Sequence, residues 1–125
     1  MRPEVQMWHE QASKDLDSAK KNLSIGEYHI TAFLCQQASE KILKALYLHK
    51  FKKSAGNTHS LHILGQELSA PANVLSAIRF LMPDFVFTRY PDVAGDVPYK
   101  LYDESLAKKK LRACEDVFSW AEKQF

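Results

Sequence analysis

The sequence predicts an all-α protein, an antiparallel up-and-down bundle of about four to five helices in one domain spanning residues 1–125. Apolar residues recur at spacings of three and four over two long segments at the front and one at the back, the signature of helices with a buried face. No stretch shows the alternation of a half-buried strand. A chain of 125 residues supplies one hydrophobic core and not two.

The first helix runs from about Pro3 to Leu23, with Trp8, Ala12, Leu16, Ala19 and Leu23 on one face. Pro3 suits a first helical turn and Gly26 the stop beyond the end. The second helix, from about Glu27 to Phe51, is different in kind. Leu34, Ala38, Ile42, Ala45 and His49 form one face. Phe33, Leu43, Tyr47 and Phe51 form another, and Gln36, Glu40 and Lys44 share that second stripe. A helix apolar on several sides is central to a bundle or lies at an oligomer interface.

After a basic turn from Lys52 to Asn57, Thr58 or Ser60 can cap a short third helix carrying Leu61, Leu64 and Leu68. A fourth helix starts at Pro71 and turns Val74, Ala77, Ile78 and Leu81 inward, and Pro83 ends or kinks it. From Asp84 to Tyr102 there is no helical period, and Pro91, Gly95 and Pro98 mark an ordered loop. Asp103 caps the last helix, whose buried stripe is Ala107, Leu111, Cys114, Phe118 and Ala121.

Composition excludes several functions. The net charge of +2 is too small to argue for nucleic acid. The basic runs Lys50, Lys52, Lys53 and Lys108, Lys109, Lys110, Arg112 read as solvated helix ends. No segment approaches the ~18 apolar residues of a membrane span. Met1-Arg2-Pro3-Glu4 lacks the apolar run of a secretory signal, so the expectation is a cytoplasmic protein. Cys35 and Cys114 lack Cys-x-x-Cys spacing and read as small buried hydrophobes. His59 and His62 have no carboxylate at ligand spacing, so no metal is expected. The four glycines are scattered, which argues against a phosphate cradle, and no cofactor is expected.

The candidate functional residues lie in three segments: the second helix, Thr58-His59-Ser60-Leu61 after it, and the stretch around Arg89. Thr88-Arg89-Tyr90-Pro91-Asp92 sets a planar cation beside a stacking ring, and Pro91 narrows the conformation of Tyr90. Arg89 either staples the loop to Asp92 or a backbone carbonyl, or meets a phosphate. On the second helix, Glu40 and Lys44 are an i,i+4 pair in the favourable order, worth roughly 0.3–0.5 kcal/mol if exposed. Their apolar neighbours imply partial desolvation, so they need partners: an internal network, the Arg89 loop, a dimer mate or a ligand.

With Trp8, Ala12, Asp15-Leu16 and Ala19, followed by Ala32-Phe33-x-x-Gln36-Gln37-Ala38-x-Glu40-Lys41, the chain resembles the HEPN domain family. Thr58-His59-Ser60-Leu61 and Thr88-Arg89-Tyr90-Pro91-Asp92 match its later signatures in order. The resemblance implies a small helical bundle, commonly a homodimer, often paired with a minimal nucleotidyltransferase in a toxin–antitoxin system. Nucleotide binding is also implied.

Another branch of the family comprises metal-independent ribonucleases that use an Arg followed four to six residues later by a His. No histidine follows His62 here, so that pair is missing where the branch keeps it, and an imidazole to move the proton is missing with it. The expectation is therefore a non-catalytic protein binding a nucleotide or a nucleotidyltransferase partner through Gln36, Glu40, Lys41, Lys44, His59, Arg89, Tyr90 and Asp92. The alternatives are a HEPN-type ribonuclease toxin with a relocated site, which would take RNA, and a purely structural helical dimer.

Overall fold

The computed structural model describes residues 1–57 and 60–125. Its elements are α1 (Pro3–Ser24), α2 (Tyr28–Phe51), α3 (Leu61–Glu67), α4 (Ala72–Leu81), α5 (Asp84–Phe87), α6 (Pro91–Ala94) and α7 (Glu104–Glu122), with a 3₁₀ turn at Pro98–Leu101 before α7. No strand occurs among the described residues.

α1 begins with Pro3 at its first turn, where a missing N–H costs nothing. It ends as Gly26, at φ +81°, turns its N–H back to the Leu23 carbonyl. Val5, Ala12, Asp15 and Ala19 form its buried stripe. Trp8, expected on that stripe, is exposed, because its ring lies under the Lys44 ammonium at the edge of the α1–α2 contact. Val5 takes the inward place instead, against Ala45, Leu48 and Phe125.

α2 is the central helix, packed by α1 along its length and by α7, α3 and α5 on other sides. Ile42, Leu43 and Leu46 are shut off from solvent. Each such aliphatic side chain contributes roughly 1.5–3 kcal/mol by leaving water. Lys52 closes the helix at φ 60°. Cys35 and Cys114 meet as buried thiols between α2 and α7, where Ser39 Oγ lies 3.4 Å from Cys114 Sγ. The bond from Cys114 and burial together push the Cys35 thiol far up.

Ser60 caps α3, its Oγ accepting from the Ile63 N–H at 3.1 Å. Thr58, the other candidate cap, lies outside the described residues. Asp103 caps α7 in the same way, accepting from Leu106 N–H at 2.8 Å.

The segment 84–102 departs from the expected loop. It holds two four-residue helices and a 3₁₀ turn, which lifts the helix count above four to five. Pro83 sits in the αR region and opens α5 directly after α4, Pro91 opens α6, and Gly95 at φ +81° closes it. Elements of one turn are too short to print a hydrophobic period, so only their punctuation shows in the sequence.

Candidate functional site

Four of the predicted site residues form two groups, Glu40 with Lys44 and Arg89 with Tyr90, at opposite ends of one stripe of α2. Phe33, Gln37, Glu40 and Lys44 lie along a single stripe at helical spacing. At its far end, the Lys44 ammonium sits 3.8 Å from Glu40 Oε1 and 5.5 Å from the centre of the Trp8 ring. The cavity beside it, about 270 Å³, is bounded by Arg2, Trp8, Lys44 and the small-residue turn from Ser54 to Asn57. His59, also predicted for the site, lies outside the described residues.

Lys41 is committed elsewhere. It donates to Asp15 Oδ2 across the α1–α2 contact, and Asp15 also accepts from Gln11 at 2.9 Å. Asp15 is buried between Ala12 and Ala19 on the α1 stripe, so this pair ties the two helices together. Gln36 is likewise interior, its Oε1 accepting from Gln37 Nε2 at 2.7 Å. The structure therefore gives Gln36 and Lys41 internal partners.

At the other end of the stripe, Arg89 lies over Phe33, with its guanidinium 5.6 Å from that ring, 4.2 Å from Phe85 and 5.2 Å from Tyr90. Its Nε donates to the Phe85 carbonyl at 3.1 Å. Of the two staples foreseen, the backbone carbonyl is the one formed. Among the described residues no Arg89–Asp92 ion pair forms, and Asp92 lies exposed in the first turn of α6. Lys44 is three turns further along α2 than Phe33, roughly 16 Å at ~1.5 Å per residue. The lysines and the Arg-Tyr pair thus do not share one pocket.

Around Arg89 the surface is unusually apolar. Phe85, Tyr90, Val93, Val97 and Tyr99 are all exposed, Tyr99 at 58%. Tyr99 leans on His29 of α2 with ring centres 6.3 Å apart. Scattered exposed apolar residues are ordinary, and here they are concentrated in one short segment.

Beneath the segment lies a buried polar cluster that sequence reasoning missed. Lys110, expected in a solvated basic run, is only 5% exposed. Its ammonium donates to the Phe80 carbonyl at 2.6 Å, lies 3.7 Å from the centre of the Phe80 ring, and pairs with Asp84 Oδ2 at 2.7 Å. Oδ2 is shut off from solvent with Lys110 as its ion-pair partner. Asp84 Oδ1 accepts from Tyr102 Oη at 2.6 Å, and Thr88 Oγ1 donates to the Asp84 carbonyl.

Burial raises the Asp84 carboxyl above its usual range, against the pull of Lys110 and Tyr102. Burial, then Asp84, pushes the Tyr102 phenol far up. The cluster ties α5 and the end of the segment to α7. A signal for it did exist: Lys110 falls in register between Ala107 and Cys114 on the buried face.

The arrangement is that of a helical bundle with Arg89 set among aromatic rings at one end of the α2 stripe and a separate cavity, lined by Arg2, Glu4 and Lys44, at the other. Among the described residues no group of three or more His, Cys, Asp or Glu is placed to hold a metal ion, and no helix is long and apolar enough to cross a membrane. The HEPN domain model matches residues 5–124, and the chain belongs to that family. It is similar to TT1696 from Thermus thermophilus, at 28% identity and a TM-score of 0.88, covering 99% of this chain and 100% of that one. It is also similar to ST0689, an archaeal HEPN homologue, at 32% identity and 0.83, over 99% and 98% of the two chains. A HEPN domain protein from Thermotoga maritima, 24% identical over 94% and 95% of the chains with a TM-score of 0.72, shares the fold. No curated protein matches the chain.

Proposed function

We propose that this HEPN protein is a non-catalytic binding module that self-associates through the aromatic segment around Arg89 and, as a dimer, engages a minimal nucleotidyltransferase in a two-component system of toxin–antitoxin type. The observation that carries the docking surface is the run of exposed Phe85, Tyr90, Val93, Val97 and Tyr99 flanking a guanidinium already fixed on Phe85 and Phe33. Aromatic residues and arginine are enriched among the side chains that anchor protein interfaces, and an aromatic ring buries a large area on few rotatable bonds. The Phe85 carbonyl and the Phe33 ring hold Arg89 before any partner arrives, so less ordering is left to be done on binding. The nucleotidyltransferase comes from the family resemblance.

Hydrogen exchange tests the docking surface. Amides of 85–99 gain protection as protein concentration rises if copies meet there. Protection that is independent of concentration, both alone and with a nucleotidyltransferase of the same operon, overturns the reading.

The cavity beside Lys44 favours a second reading, nucleotide binding. Trp8 offers a ring face, Lys44 and Arg2 offer charge for phosphate in competition with their carboxylate neighbours Glu40 and Glu4, and the turn from Ser54 to Asn57 lets a ligand approach the backbone. Calorimetric titration with ATP, GTP and AMP tests it. Saturable heat lost in Lys44→Ala but kept in Arg89→Ala supports this cavity, and loss in Arg89→Ala alone moves the site to the other end of α2. A ribonuclease is the weaker account, since the chain has no histidine after His62.

A further inference from the structure

A groove between α4 and α7 belongs to neither reading. It measures about 340 Å³, at the small end of the ~300–1,000 Å³ range of ligand sites, and its walls include Phe80, Pro83, Phe87, Leu101 and Leu106. Asp84, Tyr102 and Lys110 also line it and are locked to one another, which fixes the walls in place. Phe80 and Phe87 each keep more than a third of their surface exposed there.

The charges are unequal. Lys110 and Asp84 neutralise each other in the interior, and Arg79 remains at the groove with only Ser76 Oγ as a neutral partner, at 3.2 Å. Among the described residues Arg79 forms no ion pair. Aromatic walls beside an uncompensated guanidinium complement a ligand with a flat ring at one end and a carboxylate at the other, because the planar fork of arginine matches a carboxylate bidentately.

We propose that this groove binds a small aromatic monocarboxylate, its ring between Phe80 and Phe87 and its carboxylate on Arg79. The groove shares Phe87 with the Arg89 segment, but its carboxylate-binding residue, Arg79, and its other ring wall, Phe80, lie on α4 outside that segment.

Amide NMR with phenylacetate tests this, with acetate and toluene as probes carrying one half of the ligand each. Saturable shifts confined to 79–87 and 101–110 are expected with phenylacetate, and markedly weaker ones with either half. Arg79→Gln, at an exposed position, is expected to keep its spectrum and weaken binding roughly tenfold, the scale of one charge-assisted contact. Leu106→Trp is expected to fill the groove and remove binding. Absence of saturation, shifts elsewhere on the chain, equal shifts with acetate, or undiminished affinity in Arg79→Gln overturns the proposal.

Discussion

Lys110 of α7 and Asp84 of α5 form a buried ion pair with Nζ and Oδ2 2.7 Å apart, at side-chain exposures of 7% and 3%. The pair ties α5 to α7, and Tyr102 joins the end of the 84–102 segment to the same cluster. Two charges taken out of water lose hydration that their attraction repays only with further hydrogen bonds. Here Tyr102 and the Phe80 carbonyl supply them.

Removing one partner should therefore be worse than removing both. Lys110→Met alone leaves a buried carboxylate without its cation and should cost about 3–5 kcal/mol in urea denaturation. The double variant Asp84→Leu/Lys110→Met should recover most of that loss. A double variant no more stable than the single one would show that the pair itself, not the stranded charge, holds the segment.

Stability should also depend on Asp84 titration in a defined direction. Burial raises its folded pKa above the ordinary 3.8, so the folded state holds the proton more tightly than the unfolded state. The stability this gives is fully present below 3.8 and is lost as pH rises through the folded value. Subtracting the stability curve of Asp84→Asn from that of the wild type should reveal a difference that declines across this window. A difference that rises with pH there would mean that Lys110 and Tyr102, rather than burial, dominate.

Tyr102→Phe removes the donor to Asp84 Oδ1, which lies in the interior at 2.6 Å from the phenol. The expected cost is about 1–3 kcal/mol, the penalty for a stranded buried acceptor. Chemical denaturation reads it directly.

Lys41 separates a structural role from a ligand-binding one. Its ammonium is held by Asp15, at side-chain exposures of 21% and 11%. Lys41→Ala should lower stability by about 1–2 kcal/mol, less than a fully buried charged bond because part of the pair is wet. Any nucleotide affinity should be unchanged by it, in contrast to Lys44→Ala. Calorimetry on both variants distinguishes the two lysines.

The fold was legible because α1, α2 and α7 are long enough for a helical period to accumulate, and because Gly26, Ser60 and Asp103 carry the chemistry of stops and caps. The segment 84–102 was legible only as punctuation, since α5 and α6 are single turns. The polar interior was harder. Lys110 read as one of a run of solvated cations, although its register with Ala107 and Cys114 pointed inward. Asp15 stood in the same relation to Ala12 and Ala19. Their partners, Asp84 and Lys41, lie 26 residues away in each case, and no local pattern links residues so far apart. The stacking of Arg89 on Phe33 is equally long-range, which is why the sequence placed Arg89 with the lysines and the structure places it with aromatic rings.

Sedimentation velocity, run over a concentration series on the wild type and on Tyr90→Ser/Val97→Ser, tests the docking surface most directly. Both substituted residues are exposed, so the melting temperature should hold while the variant sediments as a monomer at concentrations where the wild type is a dimer. A variant that remains dimeric, or a wild type that stays monomeric throughout, would contradict self-association through the Arg89 segment.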